Sequence, residues 1–180
     1  MAMKIISFLF ILFYSISTQA QTMETTIYDV VNREDKDTFS DMVVLGYEID
    51  DTDAEGYTPL MIASSLGKPR FAEFLLKNGA LINKRNNNGM TALHRAAQSG
   101  QNEMVDLLIN SGAKINWPDY KGYTPLMYAV LGNNPFTVEH LYALGADVNY
   151  RNTSNQTALD IAKKKNFKEI VSFLRAHGAE

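Results

Sequence analysis

The chain has 180 residues, 46% of them hydrophobic and 21% charged, with a formal net charge of −3. That is enough apolar material for one ordinary globular domain, and the acidic balance argues against a nucleic-acid partner. No cysteine is present, which excludes a disulfide framework and lipid attachment through a cysteine, so the fold must stand on packing.

The first residues read as an export signal. Met1-Ala2-Met3-Lys4 carries one positive side chain, Ile5 to Ile16 is an almost unbroken apolar run, and Thr18-Gln19-Ala20 supplies a small residue before Gln21. This layout predicts a signal peptide over residues 1–20, cleaved after Ala20. The run is too short for a stable span of the bilayer, so no stable membrane insertion is expected after cleavage; an uncleaved tether is the rival reading. Export without cysteine suits an oxidising compartment, the bacterial periplasm first and a secreted destination second. In a eukaryotic secreted protein Asn152 and Asn155 would head glycosylation sequons.

From there the chain repeats itself. Gly79-Ala80, Gly112-Ala113, Gly145-Ala146 and Gly178-Ala179 recur at a step of 33 residues. In the same phase run Thr58-Pro59-Leu60, Thr91-Ala92-Leu93, Thr124-Pro125-Leu126 and Thr157-Ala158-Leu159, each followed three residues after the Leu by Ala63, Ala96, Ala129 or Ala162. Thr58 and Thr124 can cap a helix that begins with proline, where a missing N–H costs nothing. Gly67 and Gly100 end these first helices. Second helices follow, carrying Phe71, Phe74 and Leu75 in one unit and Met104, Val105, Leu107 and Leu108 in the next at helical spacing. Gly79 and Gly112 sit where a left-handed C-terminal cap is expected. Ile82-Asn83, Ile115-Asn116 and Val148-Asn149 lead into the finger that opens the following unit, and Asn88-Gly89 suits a tight turn there.

The period and the words Thr91-Ala92-Leu93-His94 resemble the ankyrin repeat. The resemblance implies an all-α repeat solenoid of helix-turn-helix units joined by β-hairpin fingers, about five in number, forming a single domain over residues 21–180. Residues 21–52 read as a degenerate N-terminal cap in which Asp29, Arg33 and Asp37 replace an interface, 53–85, 86–118 and 119–151 as repeats, and 152–180 as a C-terminal cap with Asn155 in place of the turn glycine. It also implies that His94 makes hydrogen bonds between neighbouring hairpins, and that ligands meet the concave finger face.

No residues suggest catalysis. His94, His140 and His177 lack zinc-ligand spacing, and no phosphate loop, nucleophile elbow or carboxylate pair stands out, so no enzyme activity, metal or cofactor is expected. Charge is divided: residues 21–56 carry eleven acidic side chains against two basic, and residues 57–180 nine against fourteen. The cluster Asp50, Asp51, Asp53 and Glu55 either attracts a basic partner surface or only keeps the cap soluble. Tyr57, Met90 and Tyr123 are spaced 33 residues apart and Gln156 continues the row; by resemblance these positions look outward. Trp117 either anchors a partner or braces its hairpin. With Asn88, Tyr120, Lys121, Leu66, Leu131, Arg85 and Arg151 they outline one binding face for a protein partner such as a toxin, an enzyme or another exported protein. The expectation is a monomeric inhibitor or immunity protein, with a protective companion of a periplasmic enzyme or an envelope adhesion protein as alternatives.

Overall fold

Threonine opens the inner helix of each unit. Thr26, Thr58, Thr124 and Thr157 hold extended backbone, and their side-chain oxygens accept from the N–H three residues on, at 3.2, 3.2, 3.4 and 3.2 Å. Each such bond satisfies a donor the first turn would leave orphaned. Pro59 and Pro125 occupy the first helical position, as the sequence predicts. The computed structural model describes residues 26–179; the predicted leader over residues 1–20 and its cleavage after Ala20 lie outside them.

Ten helices form five antiparallel pairs among the described residues: α1 (Ile27–Arg33) with α2 (Lys36–Val44), α3 (Pro59–Leu66) with α4 (Pro69–Lys77), α5 (Ala92–Gln98) with α6 (Asn102–Asn110), α7 (Pro125–Leu131) with α8 (Pro135–Ala143), and α9 (Ala158–Lys165) with α10 (Lys168–Ala176). Both recurring words have a backbone job. Ala63, Ala96, Ala129 and Ala162 are fully buried, and their carbonyls accept from the N–H five residues on at 3.0–3.1 Å, which closes each inner helix. The alanine N–H of each Gly-Ala pair returns to Leu75, Leu108, Leu141 or Leu174 at 2.9–3.0 Å and closes each outer helix.

Packing follows from side-chain size. Buried alanines of α3, α5, α7 and α9 let these helices lie side by side, with α1 against α3, more closely than the outer helices approach one another. The stack is therefore concave on the inner-helix side. Its core runs without a break from Val30 and Phe39 through Leu60, Phe71, Leu93, Leu108, Leu126 and Leu141 to Leu159 and Leu174. At the N-terminal end Phe39 stands edge-on to Phe71, Phe74 and Tyr47, with ring centres 5.6–6.0 Å apart.

One expectation is corrected. The fingers are not β-hairpins: no strand forms among the described residues, because each finger is closed only by a tight turn, from the N–H of Gly56, Gly89, Gly122 or Asn155 to the carbonyl three residues back, and by one wider bond, Asp53 N to Tyr57 O, Asn86 N to Met90 O, Asp119 N to Tyr123 O and Asn152 N to Gln156 O, at 2.8–3.2 Å. The Oδ1 of Asp53, Asn86, Asp119 and Asn152 then accepts from the N–H two and four residues on, so a side chain does the work of a second rung. In the N-terminal cap Arg33 and Asp37 are exposed. Asp29 is turned back onto the Thr26 N–H at 3.1 Å, while Val43, Val44 and Leu45 stand 42%, 82% and 57% exposed at the outer end.

Neighbouring units are tied by a second periodic asparagine. Asn83 donates to Gly112 O and accepts from Lys114 N, Asn116 donates to Gly145 O and accepts from Asp147 N, and Asn149 donates to Gly178 O. Asp50 fills this place in the first unit and accepts from Leu81 N at 3.0 Å. Replacing Asn83 by alanine removes both bonds at one junction, and we expect a loss of about 1–2 kcal/mol in urea denaturation with an unchanged slope.

Candidate functional site

The inner face gathers its side chains from two places in each unit, the finger and the exposed edge of the inner helix. Tyr57 is partly buried, and the Arg95 guanidinium lies over its ring at 4.9 Å. Arg95 Nη1 donates to Gln98 Oε1 at 2.9 Å. In the next unit the Tyr128 hydroxyl donates to Asp119 Oδ2 at 2.8 Å, and its ring meets His94 edge-on at 5.4 Å and Tyr123 at 6.0 Å. Burial, and then the bond to Asp119, hold the Tyr128 hydroxyl well above the usual phenol range, so it stays a donor at any physiological pH.

His94 sits fully buried behind this group. Its Nδ1 accepts from the Thr91 N–H at 3.0 Å, which fixes the tautomer, so Nε2–H donates to Tyr123 O at 3.1 Å. One imidazole thus caps α5 and ties its unit to the next finger. The expected bond between units is present, although it runs from helix to finger. Burial lowers the His94 pKa to about 4, opposed by the Tyr123 bond and the Asp119 charge and reinforced by Arg85.

A second cluster lies along the fingers. Arg85 Nη2 donates to Pro118 O at 2.6 Å, and its guanidinium lies 4.6 Å from the Trp117 ring centre and 5.3 Å from that of Tyr120. Lys114 Nζ lies 4.1 Å from Trp117. Trp117 is thus partly buried beside two cations, while Tyr120 is 62% exposed. Finger stacks on finger by backbone bonds: Asn87 N to Glu55 O, Tyr120 N to Asn88 O and Thr153 N to Lys121 O, at 3.4, 3.1 and 3.1 Å. Glu55, Asn88 and Lys121 thus anchor the stack by their carbonyls and leave exposed side chains.

The remaining predicted positions separate. Met90 does not look outward: it is 5% exposed, so the aromatic row is interrupted at its middle place. The Met90 N–H and carbonyl close the Asn86 turn as those of Tyr57 and Tyr123 close theirs, so the difference lies in the side chain. Leu66 and Leu131 are partly buried against the core. Asp53 is spent on its own finger and Asp51 accepts from Glu48 N at 2.7 Å, so part of the acidic cluster serves backbone structure. Arg151 is exposed and donates to Asn155 O at 3.1 Å. Sequence reasoning missed Arg95 and Tyr128. The signal was there: Ile62, Arg95, Tyr128 and Ile161 each lie four residues after the capping threonine, on the inner-helix edge.

Comparison with known families agrees with this geometry. Residues 27–119 match the family described as ankyrin repeats (3 copies), and residues 110–162 match that described as ankyrin repeats (many copies). The chain belongs to the ankyrin-repeat family. No curated protein matches it. Ankyrin repeats are generally protein–protein interaction modules. Among the described residues of this ankyrin chain no group of side chains could hold a metal ion, and no helix is long and apolar enough to cross a membrane.

Proposed function

We propose that this chain is an exported ankyrin-repeat binder that seats a partner protein on its inner face and acts as that partner's inhibitor or immunity protein. The observation that carries the reading is the group Tyr57, Arg95, Tyr123 and Tyr128, partly exposed on the concave side, with Tyr120 projecting beside it. Tyrosine and arginine held rigid by stacking are the side chains that most often dominate a protein interface, and ordering them before binding lowers the entropic cost of association. The predicted leader and the absence of cysteine support a periplasmic home. A catalytic role has little support: the one buried histidine is committed to two structural bonds.

The test is capture from envelope extracts with the tagged chain and with a Tyr57→Ala, Tyr123→Ala double variant. A single protein held by the parent and released at least tenfold more readily by a still-folded double variant is the expected result. Assay of the captured protein then separates roles: lost activity supports inhibition, and prolonged activity under stress makes the chain a protective companion. Equal retention by both baits would move the interface off this face.

A further inference from the structure

Two repeats side by side answer the same local question differently. In the fourth unit Asp119 uses Oδ1 on two backbone N–H groups and Oδ2 on the Tyr128 hydroxyl, so donor meets acceptor. One repeat earlier Asn86 and Arg95 occupy these places. Asn86 Oδ1 likewise accepts from Asn88 N and Met90 N at 3.0 and 2.9 Å, which locks the amide orientation. Its other atom, Nδ2, is then a donor where Asp119 presents an acceptor, and Arg95 is a second donor where Tyr128 stood.

The mismatch leaves bonds unmade. Asn86 is 4% exposed and its Nδ2 is buried without a partner; Arg95 Nε is buried without one as well. Among the described residues no carboxylate pairs with Arg95, whose only acceptor is the neutral Gln98 amide. A partly buried guanidinium laid on Tyr57, held at Nη1 by a neutral amide and by no carboxylate, keeps donor capacity that an anion would satisfy.

We propose that Arg95, backed by Tyr57 and Asn86, forms a carboxylate-receiving subsite on the inner face that takes an acidic side chain of the partner. This rests on the reading of the inner face as the protein-binding surface. It stands beside the expectation from net charge, under which the acidic N-terminal end selects a basic partner: Asp50, Asp51 and Asp53 accept from backbone N–H groups and keep their charge, and Arg95 keeps its own.

The test is a nuclear magnetic resonance titration of the full chain at low salt with amidated hexaglutamate, hexalysine and inorganic phosphate as separate probes. The Arg95 Nε–H signal is assigned by its loss in Arg95→Gln. Hexaglutamate is expected to shift that signal and the Tyr57 ring signals saturably, with affinity falling at least tenfold in Arg95→Gln and only partly restored in Arg95→Lys. Asn86→Asp supplies the missing acceptor from inside, so it is expected to raise Tm by about 3 °C and weaken hexaglutamate at least tenfold. A purely structural role for Arg95 predicts no change in peptide binding. An unmoved Arg95 signal, or inorganic phosphate shifting it as strongly as hexaglutamate at equal concentration, overturns the proposal. Hexalysine shifting Tyr57 and Tyr123 instead overturns the subsite while leaving the inner face as the binding surface. Capture that survives Arg95→Gln but not the double tyrosine variant gives the same division.

Discussion

Replacing His94 by alanine is expected to lower the unfolding free energy by about 3 kcal/mol at pH 7, a large effect for one side chain in a solenoid. The loss has two parts: the buried Thr91 N–H at the head of α5 loses its acceptor, and the Tyr123 carbonyl in the next finger loses one of its two donors, keeping only the Asp119 N–H. Acid should act on the same bonds in the parent. The folded chain keeps His94 neutral down to about 4, whereas the unfolded chain takes up that proton near 6.5. Between those values the unfolded state binds more protons, so stability falls as pH falls and the penalty levels off below pH 4, at about 3 kcal/mol in total. The proton would enter at Nδ1, where it faces the Thr91 N–H. Urea denaturation at pH 7, 5.5 and 4.5 should show the decline in the parent and a nearly flat profile over that window in His94→Ala. A parent whose stability did not change between pH 7 and 4.5 would contradict the buried neutral imidazole.

Gly122→Ala is expected to cost more than 2 kcal/mol and to loosen the third and fourth fingers together. Gly122 holds φ +78, where an L side chain is strained, and a Cβ there would stand 2.7 Å from Thr153 N and 2.8 Å from Asn152 Cα. Both are backbone atoms, so no rotamer change relieves the contact. The clash falls beside the finger-to-finger bond from Thr153 N to Lys121 O. Gly112→Ala is the control: φ is +93 but nothing lies within 4 Å, and only the conformational cost of about 1 kcal/mol remains. Thermal unfolding of the pair should separate them by several degrees. Equal shifts would mean that the fingers do not need their close approach.

Much of the architecture was legible because it rests on local devices repeated in register. Capping threonines, prolines at the first helical turn, small alanines and the Gly-Ala stop each act within a few residues, so periodicity in the sequence becomes periodicity in space. The binding face was read less well for a physical reason. Met90 shares its turn bonds with Tyr57 and Tyr123, so its burial rests on how its side chain packs and not on the backbone the repeat makes legible, and whether Asp53 attracts a partner depends on backbone donors that claim it first. Arg95 and Tyr128 went unnamed because their importance comes from neighbours a whole repeat away, Tyr57 and His94. Trp117, left between anchor and brace, carries Arg85 and Lys114 against its ring, contacts that spacing along the chain does not announce.

The side-by-side inner helices also set a scale. Packed helices stand roughly 8–10 Å apart, so equivalent side chains on successive units are spaced by about that distance although 33 residues separate them in the chain. An extended strand advances about 3.3 Å per residue and a helix about 1.5 Å. A strand laid along the stack therefore crosses one division in about three residues, and a helix in about six. The inner face is thus marked in divisions coarser than either kind of backbone.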